Sequence, residues 1–313
     1  MAPPLVFHPD YTYPLPPWHR FPMGKFGRIR EVLIEDGVVG PEAFQQPEPI
    51  ARELLEAAHT PAYVDAVLSL SLDRRAERRL GLPLSEALVR RARAAVGGTL
   101  LTLRLALERG LACNMAGGSH HAHPDHGAGF CVFNDVAVAL RALQREGWQG
   151  RALVFDLDVH QGDGTAAFFF DDPSVFTCSI HCEANYPIQK GISDLDLGLP
   201  PGTGDDAYLA LVRDVLGPLI ARHRPDLVVY NAGVDPHVDD QLGQLKLSDE
   251  GLRARDRHVI ETCFDASVPI ACVVGGGYGP DLDTLARRHS IVHRTAIAAA
   301  ERRARGDHSG LAA

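Results

Sequence analysis

The sequence lacks several features that would set it apart from ordinary globular enzymes. Its 313 residues include only two tryptophans, three methionines and six cysteines, and no two cysteines form a Cys-x-x-Cys pair. No stretch approaches the roughly 18 consecutive apolar residues that a membrane-spanning helix needs. The first residues show no basic region followed by an apolar run, so no secretory signal is expected. We therefore expect a cytoplasmic protein with reduced thiols, no disulfides and no membrane partner.

Basic residues are also in short supply. The chain has 31 Lys and Arg against 40 Asp and Glu, which gives a net charge of −9 with histidine neutral. This acidic balance argues against a broad nucleic-acid-binding surface, and we expect no nucleic-acid partner. Hydrophobic residues make up 45% of the chain and charged residues 23%, which is typical of a globular protein with a large core. The composition therefore excludes a disordered, collagen-like or coiled-coil chain.

Short apolar runs alternate with helical patterns along the middle and end of the chain. Runs of four to six residues rich in Val, Ile and Phe are typical of buried parallel strands. The alternation predicts an α/β fold with an open, mostly parallel β-sheet and helices on both faces. We find no linker or repeat, so we predict a single domain over 1–313 with a flexible tail at 301–313. The predicted strands are Leu5–Phe7, Leu153–Leu157, Val175–Ile180, Leu227–Tyr230 and Ile270–Val274, and the predicted helices are 28–36, 49–57, 84–109, 134–146, 206–222 and 249–265.

Polar or glycine-rich clusters follow three of the predicted strands. They lie at 158–164, 231–240 and 275–279. In open α/β sheets, ligands bind outside the carboxyl ends of the strands, so the three clusters are expected to meet at one site.

The first cluster suggests a metal site. Asp156, Asp158 and His160 alternate along the chain, and alternate residues of a strand face the same side. Two carboxylates and an imidazole are suitable ligands for a divalent ion such as zinc. One carboxylate of the cluster at 231–240 could complete a three-ligand site, but the pattern alone does not say which. That cluster contains Asp235, His237, Asp239 and Asp240.

Acid and base groups are present as well. His120 and His121 are adjacent, and both can reach a pocket only from a loop. Asp156 and Asp163 offer each of them an orienting carboxylate, as a catalytic imidazole needs. Tyr278 stands in the run GGGYG, where a phenol could donate to a developing oxyanion. His123 and His126 are expected on the following turn, outside the pocket.

Taken together, these motifs resemble the histone deacetylase family, and most closely its class IV branch and the bacterial relatives of that branch. The resemblance runs in the same order over about residues 5–295 and implies the arginase/deacetylase α/β fold. The segments that carry it are RFPMGK (20–25), HTPAYV (59–64), NMAGGSHHAHPDHGAGFCVFND (114–135), FDLDVHQGDGT (155–165), YNAGVDPHVDDQLGQL (230–245) and GGGYG (275–279).

The resemblance implies a role for each matching residue. It implies one zinc ion per chain, with His120 paired to Asp156, His121 paired to Asp163, and a tyrosine that stabilises the transition state. The implied zinc ligands are Asp158, His160 and Asp240, and the implied tyrosine is Tyr278. It also implies a potassium site formed by Asp156, Asp158, His160, Ser179 and Ile180, and a looser second cation site near Phe169, Asp172 and Val175.

An acyl-lysine tunnel is implied too. Gly129 and Phe130 match one wall, and Tyr186 or Pro187 is expected to form the other. Ser119 replaces a bulkier residue of the family, which predicts a roomier pocket. The full set of expected tunnel residues is Ser119, Gly129, Phe130, Tyr186, Pro187, Gly276 and Gly277.

The implied activity is zinc-dependent hydrolysis of N-acyl lysine, with either acetyl or longer acyl groups. Small acetylated amines such as polyamines are an alternative class of substrate. Two further alternatives are a non-catalytic module that binds acyl-lysine and a binuclear manganese ureohydrolase of the arginase type. The sequence leaves the oligomeric state open.

Overall fold

The structure, a computed structural model that describes residues 2–305, is built on one eight-stranded sheet. Every pair of neighbouring strands is parallel, in the order β2-β1-β3-β8-β7-β4-β5-β6. The predicted α/β fold with a parallel sheet is therefore confirmed. The strands are β1 (Leu5–Val6), β2 (Phe44–Gln45), β3 (Leu111–Asn114), β4 (Ala152–Asp156), β5 (Val175–Cys182), β6 (Leu195–Leu199), β7 (Leu227–Asn231) and β8 (Ile270–Val273).

Ten α-helices connect and flank the strands in this part of the chain. Several begin at a residue whose side chain caps the first turn; the hydroxyl of Ser248, for example, accepts from the backbone N–H of Gly251. None of the helices within 2–305 combines the length and apolarity that a bilayer crossing requires. The helices are α1 (Lys25–Glu35), α2 (Arg52–Leu55), α3 (Pro61–Leu68), α4 (Arg74–Leu80), α5 (Glu86–Arg109), α6 (Asp135–Arg145), α7 (Asp163–Phe169), α8 (Asp205–His223), α9 (Asp249–Asp265) and α10 (Leu282–Ala304), and two short 3₁₀ helices lie at Pro9–Tyr11 and Pro41–Ala43.

The C-terminal part differs from the sequence prediction. Helix α10 was not predicted, and it continues through Ala304 into the stretch expected to be a tail. Its buried side includes Leu285, Ile291 and Val292, so core packing stabilises the helix. The remaining tail residues, 306–313, lie outside the described part of the chain.

The central strands bring the polar clusters together. β4, β7 and β8 are buried along their whole length, which explains their continuous apolar sequences. In the parallel register Asp156 pairs with Asn231, and Asn231 pairs with Val273. The segments after these three strands therefore leave the sheet side by side at one edge.

Strand β3 adds the histidine segment to the same edge. It lies between β1 and β8, so the glycines that follow it run next to the glycines that follow β8. Gly118 has a φ of +83°, and a Cβ there would lie 2.4 Å from Oδ1 of Asn231. Only glycine fits this close approach, and the turn that it permits directs His120 and His121 into the edge.

Candidate active site

The two adjacent histidines point into the sheet edge and each contacts an aspartate. The Nδ1–H of His120 donates to Oδ2 of Asp156 at 2.7 Å, and the Nδ1–H of His121 donates to Oδ1 of Asp163 at 2.6 Å. The Nε2 atoms of the two rings lie 3.1 Å apart. All four side chains are buried. The structure thus forms both of the predicted His–Asp pairs.

Each aspartate has a further partner that the sequence analysis did not identify. Oδ1 of Asp156 accepts from the side-chain amide of Asn231 at 2.9 Å. The other oxygen of Asp163 accepts from Nε2–H of His123 at 3.0 Å. His123 was expected outside the pocket, but through Asp163 it is one contact away from the buried pair. No motif signalled this, because the turn at 123–126 decides where the ring of His123 lies.

The protonation of the two histidines differs because their surroundings differ. Burial opposes a charge on His120, but the carboxylates of Asp156 and Asp158 outweigh it and raise the pKa of His120 to about 9. Burial and the charge of His120 lower the pKa of His121 to about 4, even though Asp163 accepts its hydrogen bond. His121 is therefore neutral at pH 7, and its Nε2 lone pair lies within 3.1 Å of the Nε2–H of the charged His120.

A compact group of metal-ligand atoms lies beside the histidines. Donor atoms of Asp158, His160 and Asp235 all lie within 4.8 Å of one another, and all three residues are buried. Nδ1 of His160 is 3.0 Å from Oδ1 of Asp158 and 3.2 Å from Oδ2 of Asp235. The outer oxygens of the two aspartates are fixed by the backbone N–H groups of Gly276 (2.7 Å) and Val159 (2.8 Å).

This donor set fits a divalent cation. Burial and the charge of Asp158 raise the pKa of Asp235 to about 7, because two buried carboxylates this close repel each other. A bound cation would remove that repulsion. Glycine also leaves room for the group, since a Cβ on Gly276 would lie 2.0 Å from Oδ2 of Asp235. One nitrogen and two carboxylate oxygens are ligands that zinc accepts.

Asp240, predicted as the third zinc ligand, is outside this group. Its two oxygens accept from the backbone N–H groups of Leu242 (2.8 Å), Gly243 (2.8 Å) and Tyr278 (2.7 Å). Asp240 thus fixes the backbone of two loops, and the structure brings Asp235 to the position that the sequence analysis gave to Asp240. The other members of that cluster lie elsewhere: Asp239 contacts Arg288, and His237 contacts Asp249.

Tyr278 lies over the group of ligands. Its ring is 6.3 Å from that of His160 and nearly perpendicular to it. Burial and the nearby carboxylates hold the pKa of Tyr278 well above its usual value, so its hydroxyl keeps its proton. Lys25, which is fully buried, donates to the carbonyls of Gly275 and Gly277 at 3.2 Å each and so fixes the loop that carries Tyr278. The sequence analysis included Lys25 in a family-like segment but gave it no role.

A cavity of about 520 Å³ leads from solvent to these groups. Phe130 lines one side. Tyr186 lines the other side, with its ring edge-on to His121 at a centroid distance of 4.8 Å. Gly129 also lines this cavity. Pro187 is buried beside it and is not among its lining residues. Gly277 was also predicted as a tunnel residue, and its carbonyl accepts a hydrogen bond from Lys25.

A second cavity lies further inside and holds only about 30 Å³. Its lining includes Ser119 and Gly276, as the tunnel prediction required. The aromatic rings of Phe21 and Phe26 and the guanidinium of Arg91 also line it. These bulky side chains occupy the volume that the small Ser119 was expected to leave open, so the inner end is narrow.

The predicted potassium residues lie where β4 and β5 end. Asp156 pairs with Ser179 in the sheet, and both line a cavity of about 10 Å³. Ile180 is buried in β5. At the predicted second cation site, the carboxylate of Asp172 already accepts hydrogen bonds from Arg141 and Ser174. Potassium binding stays a prediction.

Comparison with known proteins identifies the family. The profile of the "Histone deacetylase domain" family matches residues 19–295. An uncharacterized protein of Picosynechococcus sp. is 54% identical over 94% of this chain and 98% of its own length. Histone deacetylase 2 of Arabidopsis thaliana is 30% identical over 83% of this chain and 70% of its own length.

Solved structures agree with the sequence matches. The crystal structure of an HDAC homolog complexed with SAHA superposes with a TM-score of 0.80 at 25% identity, covering 95% of this chain and 84% of that one. The fold, the family profile and the sequence matches all support a deacetylase-type hydrolase. The chain belongs to the histone deacetylase family.

Proposed function

We propose that this protein is a zinc-dependent hydrolase that removes short acyl groups from N-acyl lysine. The observation that supports it best is the meeting of three elements at the end of one cavity. These are the two His–Asp pairs, the donor group of Asp158, His160 and Asp235, and the protonated hydroxyl of Tyr278. Within residues 2–305 a single such donor group is found, which favours one metal over a binuclear manganese site.

Asp158, His160 and Asp235 would hold the zinc ion. When bound there, zinc would polarise the acyl carbonyl and acidify a water molecule. His121 is the proposed general base because it is neutral, Asp163 holds its Nδ1–H, and its Nε2 carries a lone pair. The same nitrogen then returns the proton to the leaving lysine amine. The Nε2 atoms of His120 and His121 lie 3.1 Å apart, so this lone pair would have to turn from the N–H of His120 to the water when substrate binds.

The hydroxyl of Tyr278 would donate to the oxyanion that forms from the acyl carbonyl. This donor is available at neutral pH because burial keeps the phenol protonated. Lys25 and Asp240 hold the tyrosine loop from two sides, through its carbonyls and through the N–H of Tyr278. A fixed donor needs little rearrangement during the reaction.

The narrow inner cavity supports a short acyl group. Its volume is only about 30 Å³, and Phe21 and Phe26 line it. An acetyl methyl fits such a space, whereas a myristoyl chain would have to displace Phe21 or Phe26. Of the two acyl classes that the resemblance leaves open, this narrow cavity supports the proposal of acetyl.

The test is turnover of one lysine peptide carrying acyl groups from acetyl to myristoyl, before and after removal of metal with a chelator. We expect acetyl to be the best substrate, activity to vanish on chelation, and zinc to restore it. Activity that rises with chain length would contradict the short-acyl assignment. Activity that survives chelation would contradict the zinc mechanism.

Tyr278→Phe provides a second test. It should retain zinc and fold normally but lose about 10²–10³-fold in kcat, since one oxyanion donor is removed. Binding of SAHA, the compound found with the solved HDAC homolog, gives a readout independent of turnover. An unchanged kcat would exclude this role for Tyr278.

A further inference from the structure

Three arginines surround the mouth of the 520 Å³ cavity. Arg20 comes from the segment before α1, and Arg78 and Arg79 come from the last turn of α4. All three side chains are exposed. Two separate segments of an acidic chain thus place positive charge at the same entrance.

None of the three guanidinium groups forms a salt bridge. Within residues 2–305, no carboxylate lies within 4.0 Å of any of them, and no Asp or Glu lines this cavity. Backbone N–H groups and the charges of Arg75 and Arg78 lower the pKa of Asp73, but Asp73 does not line the cavity. Arginines gathered at one entrance create a local positive potential, which attracts an anionic partner.

The positions of these arginines are fixed by the tunnel wall. The backbone N–H of Phe130 donates to the carbonyl of Leu80 at 2.8 Å, and that of Gly129 donates to the carbonyl of Arg79 at 3.3 Å. The guanidinium of Arg20 lies over the ring of Phe130, 5.3 Å from its centroid. The end of α4 and Arg20 are therefore both attached to the wall beside which an acyl-lysine would pass.

Helix stability alone explains only part of this arrangement. Arg78 and Arg79 interact favourably with the carbonyl end of α4, as basic residues do at helix C-termini. Arg20 belongs to no helix and gains nothing from that dipole. The convergence of all three on one entrance therefore points to a ligand.

We propose that Arg20, Arg78 and Arg79 select N-acyl lysines that are flanked by acidic residues. This inference rests on the proposed function, because it concerns the residues beside the lysine that enters the same cavity. It also disfavours acetylated polyamines, whose positive charges the three arginines would repel. The −9 net charge of the whole chain would favour a cationic substrate, but the local charge at the mouth has the opposite sign.

The experiment compares three peptides that share one acetyl-lysine and carry Asp and Glu, Gln, or Lys and Arg at the flanking positions. Exposed ion pairs are individually weak, so the preference is the sum of several small effects. At low ionic strength we expect kcat/KM to be about tenfold higher for the acidic peptide than for the neutral one. The basic peptide and acetylspermidine should be the poorest substrates. The preference should shrink in about 1 M salt, where charges are screened within about 3 Å.

Variants connect the preference to the three arginines. Combined replacement of Arg20, Arg78 and Arg79 by Gln should bring the ratio of acidic to neutral peptide close to one, and Arg79→Lys should retain most of it. Arg75→Gln is the matched control, because Arg75 is exposed on the same helix but does not line the cavity. That control should leave the ratio unchanged.

The outcomes separate this inference from the proposed function. If the unmodified protein hydrolyses all three peptides equally, or prefers the basic one, the inference is wrong while the deacylase function stands. If every peptide is inert, fluorescence anisotropy decides: preferential binding of the acidic peptide that the triple variant loses supports the inference, and equal binding overturns it. An oligonucleotide of equal charge that competes better than the acidic peptide would also overturn it.

Discussion

His120 and His121 are neighbours in the chain and both bond to an aspartate, yet the two pairs are embedded differently. The His120 pair faces inward. Its aspartate, Asp156, also receives the amide of Asn231, and both belong to adjacent central strands. Two nearby carboxylates make His120 a cation with a pKa of about 9.

The His121 pair faces outward. Its aspartate, Asp163, is shared with His123, whose ring is half-buried and stacks on His126 at a centroid distance of 4.6 Å. His121 itself stays neutral, with a pKa of about 4. The comparison teaches that the role of a His–Asp pair depends on what else surrounds it. In the proposed mechanism the His120 pair would act on the metal side and the His121 pair would transfer the proton.

The largest effect on kcat should come from the donor group of Asp158, His160 and Asp235. Asp235→Asn removes a carboxylate from the donor group, so we expect zinc content to fall and kcat to drop by at least about 10³-fold, since a metal supplies several kcal/mol of transition-state stabilisation. Asp240→Asn is the matched variant. It should keep zinc but lose about 1–3 kcal/mol of stability, because an amide cannot accept from three backbone N–H groups as a carboxylate does.

Metal analysis and thermal unfolding of the two variants decide between these positions. If Asp240→Asn lost zinc and Asp235→Asn kept it, Asp240 would be the ligand after all.

The next effect separates the two histidines directly. His121→Gln removes the proposed base and should lower kcat by about 10²–10⁴-fold. His120→Gln should cost less, about 10–100-fold, because it removes a positioning group that contacts the metal side. Both variants should keep zinc. A greater loss of kcat in His120→Gln than in His121→Gln would exchange the two roles.

A smaller effect is expected from the contact between His123 and Asp163. His123→Gln weakens one contact of Asp163 while the bond to His121 remains, so we expect up to about a tenfold loss in kcat with KM unchanged. His126→Gln is the control, because His126 makes no contact with Asp163. Equal losses in the two variants would show that His123 acts through general stability of the turn.

The last effect is on stability and not on catalysis, and it concerns His59, which bonds to the turn at His123. Its Nδ1–H donates to the carbonyl of His123 at 3.0 Å, and its Nε2 accepts from the N–H of Asn134 at 3.0 Å. Burial lowers the pKa of His59 to about 4, so the folded protein keeps this ring neutral. As the pH falls below about 6.5 the unfolded chain takes up a proton that the folded chain refuses, and stability declines until about pH 4.

This single group should account for roughly 3 kcal/mol between those pH values. The free energy of unfolding of the unmodified protein should therefore fall more steeply over that range than that of His59→Gln, which is less stable at pH 7 but lacks the titrating ring. Parallel slopes in the two proteins would contradict a neutral buried His59.

The sequence predicted the site best where a strand of the sheet fixes the position of a residue. Asp156 is the last residue of the buried strand β4 and Asp158 follows it, so a parallel sheet places both at its carboxyl edge. Strands β2, β3 and β6 were missed because runs of two to five residues are too short to tell a strand from a loop. Helix α10 was missed although its apolar residues recur at helical spacing.

The third ligand shows what sequence could not predict. Asp235 and Asp240 lie in one loop, and both are plausible ligands by residue type. Their roles are decided by where backbone N–H groups point, since those of Leu242, Gly243 and Tyr278 converge on Asp240. Such convergence depends on the folding of two distant loops and has no local signature. The partnership of His123 with Asp163 was hidden for the same reason.

The attachment of α4 to the tunnel wall has a consequence for how this enzyme could change. The wall bonds to the carbonyls of Arg79 and Leu80, which every amino acid possesses. Exposed side chains of this turn can therefore be exchanged without disturbing the wall or the groups at its inner end. If the three arginines set the preference as proposed, selectivity and chemistry lie in separable parts of the chain, and substrate preference could be changed at Arg20 and one short helix alone.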